Sequence, residues 1–398
     1  MHHQMEFRVL GPLEIEFVGP DRAVSSSFDG TVLVWDTSLP GRGEGIALAG
    51  ESAGFGAVAF SPGGNRIASG PSSDFWIRDS ATGEPLIQLD SLLVLPPDYD
   101  REYLLGLAFI RTEFTRDGSM IATSFSDYGD GDHGTVALWN ATDGSVVHSF
   151  DSAAAPLLDS LDLDINLNGT LLAATNDGDA RVWSLETYEE VLFITPEDGD
   201  VVGIALDPSG SRLAVEIRRV KTPRHTVHVE VFDLEGHLLV TTGEHDVFYA
   251  DGLEFSPDGR YMVTTGLDEA GSGLAVVWDA STGDRAGVTR GTGSEIFQAV
   301  VSPDGSQIAT GEEGMVRLWD AASFEQIVAF PGHEGFVNDL AFSPDGTRLI
   351  TLATPDGLVR TWLLDTEELV EVANDHVTRT FTQAECEIHE IDPCPAES

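Results

Sequence analysis

The sequence predicts an all-β chain built from repeated four-stranded units, and three observations carry that prediction. A pattern of about 40 to 45 residues recurs along most of the chain. Inside each copy, short segments of alternating apolar residues, such as 56–60 (GAVAF) and 135–139 (TVALW), read as half-buried strands. Near the start of each copy stands a turn tetrapeptide, Ser-Pro-Asp-Gly in its clearest form. In it Pro presets φ, Asp bonds its own backbone and Gly tolerates a positive φ.

The clearest copy reads FSPDGRYMVTTG from Phe255 and then AVVWDASTGD, ending at Asp284. It returns as VSPDGSQIATG with VRLWDAAS and as FSPDGTRLITLA with VRTWLLD. Upstream stand FSPGGNRIASG, FTRDGSMIATS, INLNGTLLAAT and LDPSGSRLAVE, and a more degenerate copy, FVGPDRAVSSS with DGTVLVWDTS, opens the chain. A Trp-Asp slot closes the third strand of each copy, at Trp35, Arg78, Trp139, Trp183, Phe232, Trp278, Trp319 and Trp362. Successive slots are 43, 61, 44, 49, 46, 41 and 43 residues apart, so one interval carries an insertion. The period is that of a four-stranded propeller blade, in which the large aromatic fills the space between neighbouring sheets. The fold class expected is therefore an all-β propeller of eight four-stranded antiparallel blades over residues 1–365, with seven blades and a displaced first repeat as the alternative.

This pattern resembles the WD-repeat β-propeller family, in a bacterial, actinobacterial-like form, over roughly residues 6–365. The resemblance implies a ring of blades around a central channel. It also implies a polar network tying a loop Asp, six residues before the Trp, to a His and a Ser or Thr. Asp29, Asp177 and Asp356 have that spacing, and Glu313 is a near match. The Gly-His pair Gly332-His333 stands ahead of the last repeat, and the full network is expected in that repeat alone. Arg78 and Phe232 depart from Trp, which puts the packing of their two blades in question.

The last repeat supplies three strands and leaves its outer position open. The segment 6–10 (EFRVL) is expected to fill it, with 13–17 then opening the first blade and no sheet edge left free. The string MEFRVLGPLEIE also resembles the opening strand of a winged-helix domain in actinobacterial transcriptional activators, but no body of such a domain follows. Beyond 365 the periodicity turns helical. Asp365 with Glu368 makes a capping box, and Leu369, Ala373, Val377 and Phe381 follow at helical spacing, so 366–398 is expected to be a helical tail.

Charge excludes whole classes of partner. The chain has 67 acidic against 21 basic residues, a formal net charge of −46, and Lys221 is its one lysine. Such a surface repels phosphates and anionic lipid, so neither nucleic acid nor membrane is expected as a partner. The two cysteines, Cys386 and Cys394, both lie in the tail, no apolar run is long enough to cross a bilayer, and the first residues lack a signal-like pattern. A cytoplasmic monomer without cofactor is the expectation.

No catalytic constellation emerges. Gly50-Glu51-Ser52-Ala53-Gly54 matches the spacing of a hydrolase nucleophile elbow, but it leads into a strand and not a helix. Cys386, His389 and Cys394 lack the four-ligand spacing of structural zinc. Three loops stand out instead. The loop 126–134 (SDYGDGDHG) is acidic and offers Tyr128 as an aromatic contact. The stretch 91–106 (SLLVLPPDYDREYLLG) carries an apolar insertion. The loop 216–226 gathers Arg218, Arg219, Lys221 and Arg224, four of the 21 basic residues. All three are expected on the face that carries the second-to-third and outer-to-inner connections. Function on such a fold lives in grafted loops, so a scaffold binding a protein or peptide there is the leading expectation. A propeller enzyme or a small-ligand or metal binder, with acidic residues at the channel mouth, is the second.

Overall fold

The structure, a computed structural model, describes residues 12–19, 22–27, 32–36, 46–48, 58–63, 65–69, 75–79, 84–90, 107–127, 134–151, 162–166, 168–176, 178–219, 225–247, 252–268, 270–291, 295–343, 345–354 and 359–364. Among these residues there are strands and turns and no helix. The expected N-terminal clasp at 6–10 and the expected helical tail at 366–398 lie outside them. The chain divides into two compact units, Met1–Trp362 and Leu363–Ser398.

Repeat 3 shows the plan. Leu107–Phe114, Met120–Asp127, Gly134–Asn140 and Val146–Asp151 form one antiparallel sheet in chain order. Repeats 1, 2 and 4 have the same order, and repeat 1 opens with Pro12–Gly19 paired to Arg22–Ser27. Repeats 5 and 6 are joined, because His245–Val247 pairs with His225–Asp233 on one side and with Tyr261–Leu267 on the other. Repeats 7 and 8 are joined differently. The 17-residue strand Gln326–Phe342 pairs first with Gln307–Asp320 and then with Arg348–Thr354, so it serves as outer strand of one and inner strand of the next.

The turn tetrapeptide does what its residues dictate. Ser256 Oγ donates to Asp258 Oδ1 at 2.7 Å, the N–H of Gly259 donates to the Ser256 carbonyl at 2.7 Å, and Gly259 takes φ of 68°. A second regularity sits at the Trp slot. In repeats 2 to 7 the pairing of third and fourth strands shifts register at the slot residue, at Arg78, Trp139, Trp183, Phe232, Trp278 and Trp319. A bulge there increases the local twist and re-aims the large side chain.

The turn that follows the slot locks consecutive repeats together. Gly144, Tyr188, Gly283 and Phe324 hold the same place in it, each donating its N–H to the carbonyl four residues back, and each has positive φ. Where the residue is glycine, it presses on backbone of the preceding outer strand: a Cβ on Gly283 would stand 2.6 Å from the Thr241 carbonyl oxygen. Where it is aromatic, the preceding strand makes room. The Phe324 ring covers Gly287, and Tyr188 stacks on His148 at 5.0 Å.

The core lies between consecutive sheets. Trp139 packs with Ile77, Leu89 and Phe114, and Trp278 packs with Val229, Val231 and Phe255. Phe232 and Arg78, which depart from Trp, are both buried, at 8% and 4% exposure, and Phe232 joins Val182, Leu192 and Ile204. The doubt over the packing of those positions is thereby corrected: a benzyl ring fills the slot of repeat 5, and the slot of repeat 2 accepts the arginine. The first strands pack in succession from repeat 1 to repeat 8. Gln326–Phe342 and Arg348–Thr354 then pack against Pro12–Gly19, so the series returns to its start.

Candidate partner-binding face

Side-chain bonds fix which loops share a face. Arg219 ends the second strand of repeat 5, Arg212–Arg219. Its guanidinium meets Asp198 Oδ2 at 3.2 Å and is bonded to Glu244. Asp198 lies on the connection from repeat 4 into repeat 5, and Glu244 on the connection from repeat 5 into repeat 6. The end of the second strand and two outer-to-inner connections of repeat 5 therefore meet on one face. Arg218 and Arg219 are both half-buried at the root of the loop. Lys221 and Arg224 lie outside the described residues, as do Tyr128, the apolar insertion 91–106, the segment 50–54 and the tail cysteines.

The slot residues are tied to the second strand of their own repeats. Trp319 Nε1–H donates to Thr310 Oγ1, Trp139 to Thr123 and Trp362 to Thr351, each at 2.9 Å. Trp183 is buried against Phe150, while of Trp35 the structure describes the backbone, paired with Ala23. In the last repeat His333 is buried and bonds Thr351 Oγ1 through Nε2 at 2.8 Å, which builds His, Thr and Trp of the expected network. Asp29, Asp177 and Asp356 lie outside the described residues. Glu313 is exposed, and its neighbour Glu312 is the buried one, held by Arg317 Nε at 2.8 Å.

Repeat 6 carries a second histidine of this kind, without the loop Asp. In repeat 6, His245 Nε2 lies 3.3 Å from Thr264 Oγ1 and 3.1 Å from the Thr265 carbonyl, and Trp278 Nε1–H donates to the same Thr264 at 2.9 Å. Burial pushes the His245 imidazole down to about 4, so it is neutral at pH 7. The missed signal was Gly243-Glu244-His245, a Gly-His pair with one residue inserted.

Two other polar groupings bring together residues of the kinds that bind ligands. Asp233, Glu235 and His237 bring ligand atoms within 4.8 Å of one another. Asp233 is already committed, however, its Oδ1 accepting from the N–H of Glu235 and His237 and its Oδ2 bonded to the His237 ring at 2.9 Å. Those bonds hold the Asp233 carboxyl below its usual range and raise the His237 imidazole. The grouping is a capped turn between third and fourth strands. The second grouping lines a cavity of about 700 Å³, walled chiefly by the first strands of repeats 4 to 8, where Arg111, Asp162, Asp164 and Glu254 are the charged residues among those described.

Comparison with known proteins agrees with the repeat and the fold. The family description "WD domain, G-beta repeat" matches residues 285–320 and 324–362. The chain is 26% identical over 302 residues to the guanine nucleotide-binding protein subunit beta-5b of Danio rerio, across 75% of this chain and 70% of that protein. It is 25% identical to the guanine nucleotide-binding protein subunit beta of Oryza sativa subsp. japonica, of which the match spans about half, 54%, and 51% of this chain. Against the serine-threonine kinase receptor-associated protein of Dictyostelium discoideum the identity is 24%, over 63% of this chain and 78% of that one. In fold it resembles the crystal structure of the computationally designed Ika8 protein, with a TM-score of 0.67 at 19% identity, covering 90% of this chain and 98% of the other. The chain thus carries WD repeats, and its relatives are WD-repeat proteins of the G-protein β-subunit kind.

Proposed function

We propose that the chain is an eight-bladed propeller that serves as a non-enzymatic scaffold, holding a protein or peptide partner on its loop-bearing face. The observation that carries this reading is where the repeats differ. Repeats 2 to 7 share the first turn, a buried slot residue and the register shift, and they vary in the connections that Arg219, Asp198 and Glu244 bring together. The unbroken succession of first strands supports the count of eight, and segment 6–10 is the strand that would complete the eighth blade. WD-repeat relatives are typically protein-interaction scaffolds. One is named a subunit and another receptor-associated.

On this face Arg218, Arg219, Lys221 and Arg224, with Tyr128 on the acidic loop, form the proposed contact set. Arginine forks grip carboxylates in a bidentate manner, and a chain of net charge −46 rejects any acidic ligand that does not match them well. Asp198 and Glu244 already orient Arg219, so a partner carboxylate would exchange with them. A cytoplasmic monomer is part of the same proposal. The test is affinity capture from the native host, with the binder identified by mass spectrometry and then titrated in purified form. Replacing Arg218, Arg219 and Arg224 with Ser is expected to weaken that binding at least about tenfold, a loss of about 1.4 kcal/mol, with the melting temperature nearly unchanged. Equal binding by variant and parent would return the cluster to local charge balance.

A further inference from the structure

Single apolar side chains are exposed on every protein surface, and one alone carries no meaning. Among the described residues seven large apolar side chains are exposed, and their placement is uneven. Leu86, Val191, Phe193, Leu238, Leu239 and Ile327 all lie on outer strands, where an edge position leaves a side chain half in water. Phe336, 41% exposed, is the exception. It stands on the connection from repeat 7 into repeat 8, where it pairs with Glu313 on one side and with Thr354 on the other.

A second ring joins it. Phe297, half-buried, ends the connection from repeat 6 into repeat 7, and its ring centroid lies 5.0 Å from that of Phe336 with the planes at 54°. The Phe297 N–H donates to the Gly311 carbonyl at 3.0 Å, and Phe336 is paired with the second-to-third turn of the same repeat, so backbone bonds hold both rings in place. Connections of these same kinds meet at Arg219 in repeat 5, so the phenyl pair lies on the loop-bearing face.

Charge around the pair has one sign. The segments 291–297, 311–315 and 331–336 hold Glu295, Glu312, Glu313 and Glu334 and neither Lys nor Arg. Glu312 turns inward to Arg317, while Glu313 is exposed and Glu295 half-buried. The flanking cations are Arg290, at the end of the preceding outer strand, and Arg360, whose Nη2 donates to the Gly332 carbonyl at 2.6 Å. Loop 216–226 of repeat 5 has the opposite character, with its four cations. The face is thus divided between a basic side and an acidic, aromatic one.

We propose that Phe297 and Phe336 form a docking site for a partner's peptide segment that presents Arg or Lys beside apolar residues. The proposal rests on the loop-bearing face being the one that holds a partner, and it assigns a second class of contact to that face. The flat side of a phenyl ring has negative potential and attracts a cation, and a nearby carboxylate adds to the attraction. Apolar neighbours of the cation cover the rest of both rings, so buried area and charge act together. A chain of net charge −46 also draws basic segments from a distance, which raises the rate of encounter without choosing the site. The rings choose it.

The test titrates a labelled peptide of alternating Leu and Arg, and its Leu-Glu twin, into the full chain at fixed physiological salt. Phe193→Ala is the control, since Phe193 is 44% exposed on an outer strand and its loss leaves the net charge unchanged. The Leu-Arg peptide is expected to bind the parent and Phe193→Ala alike, and Phe336→Ala at least about tenfold more weakly. Glu313→Arg, a change at an exposed position, is expected to weaken binding as well and decides the matter if Phe336→Ala does not fold. Replacing Arg218, Arg219 and Arg224 with Ser is expected to leave this binding intact, so failure of the basic cluster and failure of the phenyl pair give different results. Equal binding of the Leu-Arg peptide by Phe336→Ala and parent, equal binding of the Leu-Glu twin, or no binding by the parent would overturn the proposal.

Discussion

Thr264 shows how much one hydroxyl can hold. It accepts from Trp278 Nε1–H at 2.9 Å and lies 3.3 Å from His245 Nε2, and all three residues are buried. Replacing it with the nearly isosteric Val leaves two polar groups without that partner, and a buried unsatisfied group costs about 1–3 kcal/mol. Thr264→Val is therefore expected to lower unfolding stability in urea by about 1–3 kcal/mol, and an unchanged midpoint would show that the hydroxyl is dispensable. The Trp half of this network was legible in the sequence, because a slot repeated at a regular interval announces itself. The His half was not. His245 is displaced by one residue from the Gly-His spacing, and the strand His245–Val247 that carries it belongs to the stitch between repeats 5 and 6, which no single repeat encodes. The same blindness explains Asp164. Its bond to Leu206 N–H crosses 42 residues, and a periodicity analysis compares a repeat with its copies and never with its neighbour.

At the scale of elements, the turn after the slot acts as a knob, and the outer strand before it as the matching hole. Gly287 is the hole for Phe324, whose ring a Cβ there would meet at 2.2 Å. Gly287→Val is expected to destabilise by about 1–3 kcal/mol, the usual range for forcing extra methyl groups into a packed contact. In a Phe324→Gly background the same substitution is expected to cost at least about 1 kcal/mol less, because the two residues share one space. Equal costs in both backgrounds, measured by urea denaturation, would mean the ring moves aside freely. The existence and order of the strands could be read from the turn tetrapeptides, since Pro, Asp and Gly act locally. The pairing of a glycine with an aromatic across two repeats could not, because each is an ordinary residue until its neighbour is known. Counting cations in 216–226 likewise gave no sign of Asp198 and Glu244, which reach Arg219 from two other connections.

For the whole molecule the dominant fact is a formal net charge of −46. Self-repulsion opposes any compact state, and salt screens it, with the Debye length falling from about 30 Å at 0.01 M to about 3 Å at 1 M. The melting temperature is therefore expected to rise with NaCl over that range, and a flat or falling profile would show that the carboxylates are already paired. Sequence alone was enough for this inference, as charge needs no geometry. The joining of the last two repeats has a consequence of a different kind. Gln326–Phe342 carries the chain from the outer position of repeat 7 to the inner position of repeat 8, and the register shift across residues 332–335 is the whole of the connection between them. Deleting or duplicating either repeat alone is therefore expected to disturb paired strand on both sides of a four-residue joint, where the other repeats offer a separate connection to cut.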